Sequence, residues 1–269
     1  MAVRLVKKLP GVESVAAGSR ASLKLPIGRT YYQVALKYAG VTLAQMKNFE
    51  ILVNGIVFQK YRSATEIEKF ALYQGMPVLA ALLILDFERM GLLSEANRLI
   101  TALGTGVTNP NGVTPTIVEI AFDIDAGAAA PVISAEAVTG PPSPLGLLRK
   151  IRNFSVPVGV TGEIEISDLP RSNLIEMVAF DTSTVTLTDV SVELDGVKII
   201  DGPWTLHEHL ADRGLRAPQA GLKVLDFCYA GFGSDVLNAG GSQDFRIKVE
   251  ATATGSLPVT VYYLGPLEG

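Results

Sequence analysis

The sequence predicts an all-β chain of two tandem eight-stranded jelly rolls with a few short helices, and three observations carry that prediction. The first is an internal repeat. Leu25-Pro26 leads through Tyr31-Tyr32-Gln33-Val34-Ala35-Leu36, Val41-Thr42-Leu43 and Phe49-Glu50-Ile51-Leu52-Val53 into Asn54-Gly55. Leu169-Pro170 leads through Ile175-Glu176-Met177-Val178-Ala179-Phe180, Val185-Thr186-Leu187 and Val190-Ser191-Val192-Glu193-Leu194 into Asp195-Gly196. The offset is 144 residues at the Leu-Pro pair and 141 at the turn, and Leu85-Asp86-Phe87 returns as Leu225-Asp226-Phe227 at an offset of 140. Such a period is too long for a solenoid unit and suits a whole β domain. The second observation is the pair of turns, since both central positions of a type I′ hairpin need φ > 0 and Asn-Gly or Asp-Gly supplies them. The third is a series of short alternating segments, about eight per repeat, with no strand–helix alternation; eight strands suit a jelly roll.

Taken in order, residues 1–11 form a basic arm with Arg4, Lys7 and Lys8, and residues 12–135 the first module. Ala21–Leu25, Gln33–Tyr38, Phe49–Val53 and Ile56–Phe58 read as strands. Thr65–Phe70 reads as one or two helical turns capped by Thr65, with Glu68 three positions on. The apolar run Val78–Phe87 fits a strand or a helix; its counterpart Leu222–Tyr229, with Val, Phe, Cys and Tyr, decides for strand. Ser94–Leu99 forms a short helix, Gly104–Pro115 an exposed loop rich in Gly, Thr, Asn and Pro, and Thr116–Asp125 the closing strand. Residues 136–154 are a linker, because Ala126–Pro144 is Ala-rich and ends in Gly-Pro-Pro-Ser-Pro before a basic stretch with Arg149, Lys150 and Arg152. The second module, 155–269, has Leu206–Leu210 as its helix and Phe245–Ala251 and Val259–Leu264 as its last strands.

Composition narrows the function classes. A chain of 269 residues has room for two domains, each with its own core. With 48% hydrophobic and 19% charged residues it is apolar for a soluble protein, which suggests surface covered by partner subunits, or else large β cores. The net charge of −4 gives no support for nucleic-acid wrapping, and no sequence-specific nucleic-acid partner is expected. Cys228 is the single cysteine, so no intramolecular disulfide forms. No run of 18 apolar residues is present, and no apolar stretch follows the basic start as a secretory signal requires.

The chain offers little chemistry. His207-Glu208-His209 has the His-x-His form of cupin metal sites, but no third histidine exists and helical residues i and i+2 point roughly 200° apart. Gly104-Thr105-Gly106 lacks the lysine and helix of a phosphate loop. Cys228 reads as a core thiol, and Trp204 as a core plug or a sugar-stacking ring. Asp123 and Asp125 alternate on one strand: they would hold a cation, with calcium the ion that suits oxygen-only acidic sites, or work as an acid–base pair, or form a polar face meeting solvent or a partner's arginine. No cofactor is required and no enzymatic activity is expected.

Several strings also match a known family in order: Val15-Ala16-Ala17-Gly18, Lys24-Leu25-Pro26-Ile27-Gly28 with Thr30-Tyr31, Tyr38-Ala39-Gly40-Val41-Thr42, Lys47-Asn48, Ala102-Leu103-Gly104-Thr105, Phe122-Asp123-Ile124-Asp125, Arg152-Asn153-Phe154 and Asp168-Leu169-Pro170-Arg171. In this ordered set the chain resembles the major capsid protein of corticoviruses, icosahedral bacteriophages with an internal membrane. The resemblance implies a double jelly roll that associates as homotrimers of pseudo-hexagonal outline, since two similar modules in three subunits give six similar faces. It implies as partners further copies of the chain, minor capsid and vertex proteins, and the internal membrane, with a place in the virion capsid after assembly in the bacterial cytoplasm. Under that reading Arg4, Lys7, Lys8, Arg149, Lys150 and Arg152 form a rim facing the membrane or pair with carboxylates of neighbouring subunits. The alternative function is a tandem jelly-roll carbohydrate-binding module of a spike or surface lectin.

Overall fold

The structure, a computed structural model, describes residues 4–108 and 112–268. Parts of the expected arm (1–3) and of the expected Gly104–Pro115 loop (109–111) lie outside the described residues, as does 269. The chain divides into two compact units: residues up to 90, 95–151 and 265–268 make unit 1, and residues 91–94 and 152–264 make unit 2.

Unit 1 runs β1 (Leu5–Lys8), β2 (Arg20–Leu25), β3 (Thr30–Ala39), β4 (Met46–Val53), β5 (Ile56–Ser63), α1 (Ala64–Tyr73), β6 (Leu82–Asp86), α2 (Glu95–Leu99), β7 (Leu103–Gly104), β8 (Val118–Ile124) and β9 (Val132–Gly140). One sheet has the order β1-β9-β3-β6, with the two-residue β7 also on β3; the other has β2-β8-β4-β5. Alternation puts Leu23, Leu25, Val34, Leu36, Phe49, Ile51, Ile120 and Phe122 in the interior. Phe49 and Phe122 stack there with ring centroids 4.9 Å apart.

The chain passes between units inside β10 (Leu148–Val158), the division falling after Ile151. Unit 2 continues with β11 (Gly162–Ile166), β12 (Leu174–Asp181), β13 (Leu187–Leu194), β14 (Val197–Pro203), α3 (Trp204–Arg213), β15 (Leu222–Asp226), β16 (Phe245–Ala251) and β17 (Gly255–Gly265). Its strand orders, β10-β17-β12-β15 and β11-β16-β13-β14, repeat those of unit 1 member for member. Val178, Phe180, Val261 and Tyr263 from one sheet meet Val190, Val192, Ile247 and Val249 from the other in a single core closed by Trp204.

The hairpins are equivalent in detail. Asn54 and Gly55 have φ of 51° and 81°, Asp195 and Gly196 of 50° and 79°, all on the left-handed side that the sequence demanded. Each first turn residue also pins a neighbouring segment: Asn54 Oδ1 accepts from the N–H of Thr116 (2.8 Å) and Ile117 (3.2 Å), and Asp195 Oδ1 from that of Gln243 (2.7 Å) and Asp244 (2.8 Å). An Asx oxygen satisfying two backbone donors is a local reason for an Asn or Asp here rather than a second glycine.

Four expectations are corrected. The linker over 136–154 is instead the end of β9 and the start of β10: Ile133, Ala135 and Ala137 alternate inward while the strand pairs with β3 and β1. Residues 5–8 of the arm are a strand of the sandwich. Helix α1 begins at Ala64, after Ser63 rather than Thr65, because Glu66 folds back to accept the Arg62 N–H at 2.8 Å. Only Leu82–Asp86 of the run Val78–Phe87 is strand, since a tight turn with Ala81 at φ 60° precedes it.

Candidate functional site

Asp123, near the end of β8, and Asp125, just beyond it, belong to a ladder of ionic contacts across the outer face of one unit 1 sheet. Arg20 on β2 reaches Asp123 (2.9 Å) and Glu50 (2.6 Å), and Lys60 on β5 takes the other oxygen of Glu50 at 2.7 Å. Asn48 donates to Asp123 at 2.8 Å, while Asp125 accepts from Lys47 at 2.6 Å and from the Gly127 N–H at 2.8 Å. These bonds hold both aspartates below the usual carboxylate range, Asn48 acting first on Asp123 and Lys47 on Asp125. The cations that answer these carboxylates come from the same chain. Arg20, Asn48 and Lys47 already use their oxygens, so the pair does not fit a calcium site, and no group of three or more His, Cys, Asp or Glu among the described residues is placed to hold a metal.

The expected basic rim is also corrected. Lys7, Lys8 and Arg152 are exposed, but Arg149 and Lys150 are buried in unit 1. The guanidinium of Arg149 lies 5.7 Å from the Phe70 ring of α1, and its carbonyl accepts from Gln59 Nε2 at 3.0 Å. The cause is the bridge of Ile151 to Gln59, which lays the start of β10 along β5. Arg4 is committed within the chain: it bonds the buried Glu88 at 2.5 Å, stacks 4.5 Å over Tyr32, and shares Glu88 with Arg98 at 3.0 Å. Nothing in the sequence flagged Glu88, although a glutamate following the repeated Leu-Asp-Phe was visible.

In unit 2 the His-x-His pair lies on α3 as expected. His207 is half-buried with its Nε2 unpartnered and its pKa lowered by burial; His209 is exposed, and Glu208 pairs with Lys223 at 2.8 Å. Trp204 is buried edge-on to Phe180 at 5.6 Å and presents no ring to a sugar. Cys228 is a buried thiol. Beside α3 a cavity of about 320 Å³ opens between Ile199, Ile200, His207, Leu210, Asp226 and Tyr229. Nothing in the residue pattern marked the feature next to it, the exposed apolar strand β14, whose Val197 and Ile199 stand in solvent.

Two eight-stranded sandwiches of one strand order in one chain, with broad charged and apolar surfaces, define the class of double jelly-roll proteins. Solved structures of that fold include the STIV MCP (TM-score 0.66, 10% identity, covering 99% of this chain and 97% of that one) and the PBCV-1 virus capsid (0.64, 10%, 98% and 94%). Those identities show the fold alone. Family profiles resolve the rest: the viral coat protein P2 N-terminal domain matches residues 6–140 and the viral coat protein P2 C-terminal domain residues 148–267. The chain belongs to the P2 viral coat protein family. It is 29% identical to the major capsid protein P2 of Pseudoalteromonas phage PM2 across 98% of this chain and 97% of that one. The crystal structure of that protein matches with a TM-score of 0.91 at 27% identity, covering 98% of both chains.

Proposed function

We propose that this chain is the major capsid subunit of a virion, a structural protein that copies of itself assemble into a shell. The observation that carries the reading is the full-length likeness to the PM2 capsid protein in both sequence and fold. The finer reading is a pseudo-hexameric homotrimer tiling an icosahedral shell, with minor capsid and vertex proteins at its borders, an internal membrane beneath it, and assembly in a bacterial cytoplasm. Trimerisation is supported by the duplicated module and by apolar strand surface left exposed on one chain. For the membrane the support is the family resemblance, since two of the six basic side chains expected to face it are buried. Carbohydrate binding is disfavoured by the burial of Trp204.

Sedimentation of the purified chain at micromolar concentration tests the reading. A species of three 28.6 kDa chains that persists on dilution is expected, with contacts in the size range of permanent interfaces, above roughly 2,000 Å². A stable monomer that elutes late from a glycan column would overturn it.

A further inference from the structure

The two repeats differ at one sheet edge. In unit 1 the fifth strand, β5, is covered: Ile151 bridges Gln59 in parallel, and Phe58 and Gln59 are each only 2% exposed. Its equivalent in unit 2 is β14. The register fixes the match, because Ile51 pairs with Gln59 and Val192 with Ile200, each just before a bulge. Yet β14 closes its sheet with no strand beyond it among the described residues, and its Val197 and Ile199 are 63% and 44% exposed. The cavity beside it is lined by Leu210 and Asp226, the counterparts of Phe70 and Asp86. Around Phe70, unit 1 places the Arg149 guanidinium.

The covering strand has its own counterpart. Arg149-Lys150-Ile151-Arg152-Asn153 of β10 corresponds to Arg4-Leu5-Val6-Lys7-Lys8 of β1. Lys8 lies opposite Glu136, which pairs with Ala35; the Asn153 side chain bonds Thr260, which pairs with Ala179, the repeat partner of Ala35. Val6 therefore stands where Ile151 does. Ile151 is 1% exposed and Val6 is 71% exposed, on a strand that ends its own sheet. One chain thus has one uncovered first strand and one uncovered fifth strand, the two edge types that meet at Ile151 and Gln59. Bare edges of this length invite pairing with another chain.

We propose that β1 of one copy lies along β14 of a second copy in parallel, with Val6 opposite Ile200, repeating between chains the contact that β10 makes on β5. The proposal rests on the capsid reading and names the surface by which copies join. Each copy donates one edge and accepts one, so the contact is head-to-tail, and in a trimer whose rotation closes every such edge is paired. Three copies alternate three contacts within chains and three between them, six of one kind. Leu5 comes beside the exposed Ile199, and the cations Lys7 and Lys8 come beside the exposed Asp201.

The test uses the full chain with Val6→Cys and Ile200→Cys together. Under mild oxidation the double variant should run as covalent dimers and trimers on a non-reducing gel, with neither single variant doing so; wild-type Cys228 is buried and stays silent. Val6→Asp, at a site exposed in the single chain and so harmless to folding, should weaken association at least about tenfold by sedimentation while leaving circular dichroism unchanged. A wild-type trimer in which the cysteine pair does not cross-link and Val6→Asp changes nothing overturns the β1–β14 contact and leaves the capsid reading standing. A wild type that sediments only as monomer overturns both.

Discussion

Gly75 and Leu215 occupy the same bend in the two repeats, after α1 and α3, and both are left-handed, with φ of 72° and 75°. The bend is closed alike, by Met76 N–H on Ala71 O and Arg216 N–H on Ala211 O, each at 3.0 Å. Only glycine adopts that backbone without strain. The next residue shows what holds the strained copy. Met76 in unit 1 becomes Arg216 in unit 2, which is buried, bonds Asp226 at 2.6 Å, and donates to the carbonyls of Gly91 (3.0 Å) and Cys228 (3.2 Å). Asp86, the counterpart of Asp226, instead takes a hydrogen bond from Gln33 at 2.6 Å. The backbone of a duplicated module thus outlives the side-chain solutions that first supported it.

Exchanging residues between repeats breaks that comparison, and the largest effect should come from Arg216→Met. It leaves Asp226 buried without the Arg216 guanidinium, and removing one member of a buried ion pair costs about 3–5 kcal/mol. Denaturant unfolding followed by Trp204, the sole tryptophan and a member of the unit 2 core, measures it; a loss under about 1 kcal/mol would make the pair dispensable. Gly75→Leu should destabilise unit 1 by about 1–2 kcal/mol, the left-handed penalty, and Leu215→Gly should gain less than about 1 kcal/mol because glycine returns entropy to the unfolded chain. Equal effects of opposite sign would show no such entropy cost.

Acid separates the units in another way. Asp123 and Asp125 titrate below their unfolded values, so their stabilisation is present above about pH 4 and is lost as pH falls through the folded values. In unit 2 the shifted groups of the β11-β16-β13-β14 sheet are cations: Asp244 raises Arg246 and Glu193 raises Lys248, and that stabilisation is lost only as pH rises through their folded values. The difference in melting temperature between wild type and the Asp123→Asn, Asp125→Asn double variant should therefore narrow as pH falls from about 5 and go on narrowing below about pH 4. A constant difference would remove the ladder from the account. The smallest effect belongs to metal. A chelator should move the melting temperature by less than about 1 °C, and a larger fall would restore a cation site.

What could be read from the sequence was local or repeated. The turns at Asn54-Gly55 and Asp195-Gly196 and the Leu-Asp-Phe echo located equivalent elements, because left-handed turns and alternating strands leave marks within a few residues. Strand β9 escaped because its inward residues include Ala135 and Ala137, so its composition resembles a linker although its alternation is intact. The burial of Arg149 and Lys150 was not legible, since it depends on β5, some ninety residues earlier in sequence. The bare edge of β14 became visible only when its exposure was set beside that of β5.

The division of the chain carries a consequence for its synthesis. Residues 91–94, from between β6 and α2 of the first sandwich, belong to unit 2, and residues 265–268 belong to unit 1. Leu93 N–H bonds Gly231 O at 3.0 Å, and Leu267 is buried in unit 1. On the ribosome the first sandwich emerges early, yet its final piece follows the entire second sandwich out of the exit tunnel. A truncated product of stalled translation would lack that piece however well its sheets had formed. Completion of the first sandwich is thereby tied to synthesis of residues 265–268, which follow the whole second sandwich.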